Sequence, residues 1–385
     1  SETDTDSAVI DAGGAAKAFI LATTPSGTTG LLKDLVITNF LLACDITGWR
    51  GTIDNCLLTG CAAGSTDTML FYHASGAMSL NLTNCRMHDL QNASAKHLWH
   101  FVAGSGPINV DDCLFKNIRG GAPNDRRGFF NIEYGAHDFA LTITDSIFDS
   151  ITYTAQNNRE AGMMEPFGNN GTTGGFLMDR CIVRNINLNT PIIIANRVKG
   201  TPTVRNTLFH NVQSTNYAAV SAFGCAMDVR NCTFDSCSAV AFAPNYSNTQ
   251  KIYNTSISNC TKVIAIEAGA STKPVLYYVN IFNSPEGGGW DAASVNVTNY
   301  DPKYKSLEIP DYRLKAASQL VDAGNNAYVN WSDPKDLLGN SRQIDGDGNG
   351  SAVVDIGAYE FDPTVMDPTF VTPQTSYKAY AGTTI

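Results

Sequence analysis

Long apolar runs and any surplus of basic charge are both missing from this chain of 385 residues. No stretch comes near the roughly 20 apolar residues that a membrane helix needs, and the opening SETDTDS is not a secretory leader. An exported form would have lost its leader already or carry it outside this sequence. Lys and Arg number 26 against 36 Asp and Glu, a net charge of −10. That balance argues against nucleic acid or an anionic membrane surface as partner. Charged residues are only 16% of the chain, as expected where many positions are core or tight turn. Cysteines number 10, yet no Cys/His cluster stands at zinc spacing, which speaks against a structural zinc. Apolar spacing of three and four, the mark of helical repeats, is also missing.

What the chain does contain is a repeat. The pattern apolar–x–Asn–small–x–apolar–x–polar–apolar recurs as IDNCLLTGC (53–61), LTNCRMHDL (82–90), VDDCLFKNI (110–118), ITDSIFDSI (143–151) and MDRCIVRNI (178–186). It continues as VRNTLFHNV (204–212), VRNCTFDSC (229–237) and IYNTSISNC (252–260), with weaker copies at 37–45 and 276–284. The units alternate by two and are rich in Val, Ile, Phe and Thr, which suit a pleated surface. Their steps vary from roughly two to three dozen residues, so loops of unequal size interrupt a constant core. A parallel β-helix has this organisation: each repeat is one coil and the loops bulge outward.

Within a unit the inward parity resets, as it must where a strand bends while keeping apolar side chains inward on both sides. A residue in the left-handed region achieves this, and Asn or Asp tolerates that region best. The expected bend column is Asn39, Asn55, Asn84, Asp112, Asp145, Arg180, Asn206, Asn231 and Asn254. A second is Gly60, Asp89, Asn117, Ser150, Asn185, Asn211, Ser236 and Asn259. Stacked at ~4.8 Å, such amides would hydrogen-bond along the stack. A third apolar segment per coil (69–73, 98–102, 129–134, 192–197, 240–244, 263–267) completes three parallel sheets. About ten coils make a rod about 48 Å long. Cys56, Cys85, Cys113, Cys181 and Cys232 share one inward column with Ser146, Thr207 and Thr255, and Cys61, Cys237 and Cys260 share another. Interchange with small residues reads as selection for size in core thiols, with an occasional stacked disulfide as the alternative.

The texture changes after about 290. The segments DPKY (301–304), DYRL (311–314), VDAG (321–324) and DIGAYE (355–360) resemble the C-terminal end of secreted bacterial right-handed parallel β-helix proteins, the pectin-lyase-like group of cell-surface proteins. The resemblance implies export, a right-handed helix and association with polysaccharide, but not catalysis by itself. The expected organisation is a covering segment or first coil at 1–30, the helix at 31–290, a C-terminal cap at 291–361, and a linker or the start of another module at 362–385.

Three sets of candidate site residues follow. DGDGNG (345–350) matches the first half of a calcium loop, with Asp345, Asp347 and Asn349 as ligands and Asp355 as a late one. The bidentate Glu of such loops is absent, since Ile356 stands at that place; a bound calcium would brace the cap. Lyases of the resembled group use a Lys or Arg base with acidic groups or calcium beside the uronate. Here Glu133, Glu165, Arg197 and Lys199 are the catalytic candidates, with His100, Trp99 and Tyr134 for substrate. Tyr72, Trp99, Tyr134, Tyr153 and Trp290 are candidate sugar platforms, but alternation within HLWHF and IEY equally allows core or edge packing, which is the favoured reading. The expected function is an exported cell-surface rod, structural, adhesive or self-assembling, with polysaccharide or copies of itself as partner. A polysaccharide-degrading enzyme, a lyase above all, is the alternative.

Overall fold

The computed structural model describes residues 8–365 except 15–16, 22–27, 62–66, 93, 103, 123–129, 133–137, 156–162, 166–174, 190, 197, 199, 216–217, 244–248, 267–269 and 271. At 20, 122, 154–155, 165, 194–196, 223 and 242–243 it describes the backbone alone.

The strands form three parallel stacks around one core. The first stack runs from Gly30–Lys33 through Arg50–Asp54 and Ser79–Thr83 to Val295–Thr298, and the second starts at Ala8–Asp11 and Leu35–Phe40. Strands Gln250–Ser258 and Val275–Phe282 run through the bend and serve both. The third stack has ten strands, Phe19–Ile20 to Ile264–Ile266, one per coil. Apart from a 3₁₀ turn at Asn326–Tyr328, the described residues contain no helix. This is the parallel β-helix expected from the repeat.

Parity resets at the expected bends. Residues of the first bend, such as Asn55, Asn84, Asp112 and Asn231, have φ between 49° and 53°. Asn117, Asn185, Asn211 and Asn259 of the second lie between 51° and 54°. Asn39 is a correction. Phe40 pairs with Cys61, which puts Asn39 beside Gly60 in the second column; Asp34 (φ 56°) opens the first, since Lys33 pairs with Asp54. The amides do bond along the stack, but often to a carboxylate. Asn211 donates to Asn185 at 3.0 Å and Asn283 to Asn259 at 2.9 Å. Asn55 donates to Asp34 at 2.8 Å and Asn206 to Asp179 at 2.7 Å.

All ten cysteines are free thiols, and all but Cys61 are buried. In the column after the first bend each side chain donates to the carbonyl two residues earlier. Cys232 Sγ lies 3.3 Å from Arg230 O, Ser146 Oγ 2.7 Å from Thr144 O, and Thr255 Oγ1 2.7 Å from Tyr253 O. The position therefore selects a small hydrogen-bond donor, not size alone. Burial pushes the Cys232 thiol up to about 12.

The repeat runs on to Val295–Thr298, past the boundary drawn at 290. From there the chain turns back and lies along the flank of the last five coils as a strap. Asn254 Oδ1 accepts from Asn325 N at 2.9 Å while its Nδ2 donates to Asn325 O at 3.1 Å. Tyr312 reaches Asp235 at 2.9 Å, and Tyr304 reaches Ser256 at 2.8 Å. The DIGAYE segment meets the rod through its backbone: Gly357 N donates to Asn254 O and Ala358 N to Thr233 Oγ1. Gly357 (φ 127°) permits this approach, because a Cβ there would stand 3.0 Å from Thr233 Oγ1. Fully buried Arg342 fastens the strap, donating to Glu360 at 2.8 Å and to Asn206 at 2.9 Å.

Candidate functional site

The sequence candidates gather around the third sheet, where loops of unequal length leave the coil. Along its strands Phe71, Trp99, Phe130 and Met164 face the core, so their neighbours face outward. The register is Asp45, Tyr72, His100, Asn131 and Glu165 on successive coils. His100 and Glu165, picked from sequence, thus share one column with Asn131 between them, two strand spacings or about 9.6 Å apart at the backbone. Glu133, Tyr134, Arg197 and Lys199 lie outside the described residues, and of Glu165 the backbone alone is described.

Although it faces outward, this column is sunk. His100 is 8% exposed, Asn131 2% and Ser221, further along the sheet, 1%. Among the described residues Asn131 Nδ2 and Ser221 Oγ are buried without a hydrogen-bond partner, a state that costs free energy unless something else satisfies them. The rings of His97 and His100 lie 4.4 Å apart, and Tyr72 meets His100 edge-on at 5.8 Å. An imidazole, an amide and a carboxylate position on three adjoining coils are chemically suited to orient a polar ligand or exchange a proton. Sequence reasoning passed over Asn131 and Ser221; a lone polar residue at an outward position of an apolar strand was the available signal.

For two aromatic candidates the core alternative holds, and Trp99 is corrected as a substrate residue. Trp99 is 1% exposed and packs against Phe71, Phe101, Phe115 and Phe130, so its ring belongs to the core and offers no sugar platform. Tyr153 is likewise 1% exposed. Trp290 is half-buried against the end of the core. Shallow hollows of about 210 and 400 Å³ lie along the strap, and neither is lined by a third-sheet residue.

The acidic turn has a different membership from that expected. Carboxylate oxygens of Asp322, Asp345 and Asp347 lie within 4.8 Å of one another. Asp355 turns away, accepting from Asp322 N at 2.7 Å and Phe361 N at 2.6 Å, and burial pushes its carboxyl up to about 7. Asn349 donates from its backbone to Asp345 at 3.0 Å and from its amide to Asp347 at 2.8 Å. Backbone N–H groups of the Asp-Gly turn supply much of what the carboxylates need: Gly350 N bonds Asp345 at 2.8 Å and Asp347 N bonds Asp322 at 2.7 Å. Asp322 belongs to the VDAG segment, where its left-handed backbone (φ 52°) aims it at the turn.

Comparison with known protein families and with curated proteins finds no match to this chain.

Proposed function

We propose that the chain is an exported, cell-surface rod that serves in display, adhesion to glycan or self-association. The observation that carries this reading is the unbroken side-chain ladder on the first sheet. Lys33, Asp54, Thr83, Asp111, Thr144, Asp179, Arg205, Arg230, Tyr253, Tyr277 and Val295 follow one another in register. A long, stiff stack of this kind suits display and lateral contact more than it suits a pocket; its open part is the stretch from Lys33 to Thr144, because Tyr328 and Trp331 of the strap lie over Arg205, Arg230, Tyr253 and Tyr277. The resemblance of the C-terminal segments to secreted bacterial β-helix proteins supports the location. As part of the same reading, calcium at Asp322, Asp345 and Asp347 would brace the strap, three hard carboxylates being the donor type it prefers. Chelation that lowers the strap's melting temperature supports that brace; unchanged melting counts against it.

The third-sheet column, with His100 and Asn131 sunk and the backbone of Glu165 next in register, favours a second reading, a polysaccharide lyase working on the third-sheet face. The deciding experiment incubates the protein with a panel of uronate-containing polysaccharides and follows unsaturated-product absorbance and reducing ends. The rod reading expects no turnover, together with retention on an immobilised glycan or concentration-dependent assembly. Turnover abolished by Glu165→Gln, Arg197→Ala or Lys199→Ala would establish the enzyme instead.

A further inference from the structure

The smaller hollow lies where the last coil of the rod meets the strap, well away from the third sheet. Its wall is formed by Tyr278, Asn296, Thr298 and Tyr300, and the strap contributes Gln319 and Ile356. At about 210 Å³ it is smaller than the ~300–1,000 Å³ typical of drug-sized sites, so it matches a single small ring. No charged residue lines it, in a chain whose net charge is −10. That selects a neutral ligand.

Three features mark this hollow as more than a seam. First, Tyr278 occupies the first bend column with φ 56°. Every other member of that column is Asn or Asp, apart from Arg180, whose guanidinium bonds Asp145 and Asp179. A bulky aromatic in the left-handed region is strained, and such strain concentrates at functional sites; its half-buried ring meets Tyr328 of the strap edge-on at 6.2 Å. Second, the side-chain amides of Asn296 and Gln319 are exposed and make no hydrogen bond with the described residues. They are ready to serve a ligand as donor and acceptor. Third, the wall is held rigidly. Asn280, fully buried, accepts from Tyr300 N at 2.8 Å and from Thr298 Oγ1 at 3.0 Å, and donates to Tyr300 O at 2.9 Å. That clasp leaves the Tyr300 side chain 43% exposed at the rim.

We infer that this hollow is a binding site for one neutral hexose or N-acetylhexosamine unit of a glycan. Such a ring has an apolar C–H face to lie against Tyr278 or Tyr300 and a rim of hydroxyls for Asn296, Gln319 and Thr298. Tyrosine pairs apolar area with a polar tip and little side-chain entropy to lose, which suits a wet site of this kind. The inference deepens the adhesive reading above and rests on it, since it names where the glycan would be held.

Saturation-transfer NMR on the whole chain, with free glucose, galactose, mannose and N-acetylglucosamine as probes and galacturonate as charged control, tests it. At least one neutral sugar is expected to give transfer and galacturonate none. Tyr300→Ala and Gln319→Ala change exposed side chains, so the fold is kept while the expected transfer falls at least tenfold. Tyr278→Asn installs the residue type usual in that column and is expected to abolish transfer with the rod still folded by circular dichroism. Absence of transfer from every neutral sugar, or transfer undiminished in Tyr300→Ala and Gln319→Ala, would overturn the site. Retention on an immobilised polysaccharide that survives these substitutions would leave the adhesive rod standing and place its glycan contact elsewhere. Uronate turnover would remove the rod reading itself.

Discussion

The two halves of the second sheet carry the same ladder under different cover. Toward the N-terminus the outward column reads Val36, Leu57, Arg86, Leu114 and Ile147, each half-buried. Toward the C-terminus it continues through half-buried Ile182 to Leu208, Thr233, Ser256 and Asn280, these last four buried beneath the strap. Past Leu208 polarity runs opposite to the usual rule: Thr233, Ser256 and Asn280 are polar under cover, whereas the half-open end is aliphatic apart from Arg86. The strap meets the rod largely through backbone and side-chain hydrogen bonds, so the covered positions must supply partners for Ala358 N, Tyr304 and Tyr300. Among the described residues the strap does not reach the N-terminal half, where Val36, Leu57, Leu114 and Ile147 pack along the stack. The bends differ in the same way. Asn55 and Asn84 hand their amides to Asp34 and Asp54 of the preceding coil, whereas Asn254 gives both of its amide atoms to the strap.

The sharpest way to break this contrast is to unfasten the strap alone. Arg342→Met leaves Glu360 buried without its guanidinium. It is expected to cost about 3–5 kcal/mol, appearing in denaturant melts as an early transition that leaves the bare half intact. Next in size is acid. Burial opposes ionisation of Asp235, but bonds from His210, Ser258, Asn259 and Ser236 outweigh it and hold the carboxyl at about 2. A depressed carboxylate contributes stability that is present above its unfolded value of about 3.9 and lost as pH falls through its folded one. Titration from pH 5 to pH 2 is therefore expected to remove about 2 kcal/mol from the strap, seen as loss of Tyr312 near-ultraviolet dichroism; Asp235→Asn should flatten that step. Gly357→Ala places a methyl against Thr233 at a positive φ and is expected to cost about 1–3 kcal/mol, again confined to the covered half. The smallest effect probes what both halves share. Cys232→Ser keeps the donor to Arg230 O and should melt within about 0.5 kcal/mol of the parent, while Cys232→Ala loses it and should cost about 1 kcal/mol.

What sequence made legible was local. The parity breaks at Asn55, Asn84 and Asn231 announced left-handed bends because a two-residue period admits no other way to keep Val229 and Cys232 both inward. The same pattern misplaced Asn39, where Asp34 five residues earlier is the true partner of Asn55 and only pairing across coils reveals it. The strap was legible as a segment but not as a position. Its contacts span sequence separations of 71 between Asn254 and Asn325 and 136 between Arg342 and Asn206, and no periodicity reports contacts that distant. For the same reason DIGAYE could be singled out but its residues not explained: its glycine, its buried Asp355 and its Glu360 answer to Thr233, Asp322 and Arg342 respectively. The candidate column was half legible. His100 and Glu165 were chosen for their chemistry, and the register put Asn131 between them. Trp99 failed because in HLWHF alternation permits either face, and the ring was settled by Phe115 and Phe130 across the core.

Hydrogen exchange across the whole chain, compared between the parent and Arg342→Met, tests the central claim most directly: that one ladder is held in two ways. The account predicts that amides of the strap and of its covered bends, among them Gly324, Asn325, Gly357 and Ala358, lose protection in the variant, while Asn55, Asn84, Arg86 and Leu114 in the bare half keep theirs. Equal loss of protection along the entire rod, or none anywhere, would contradict it.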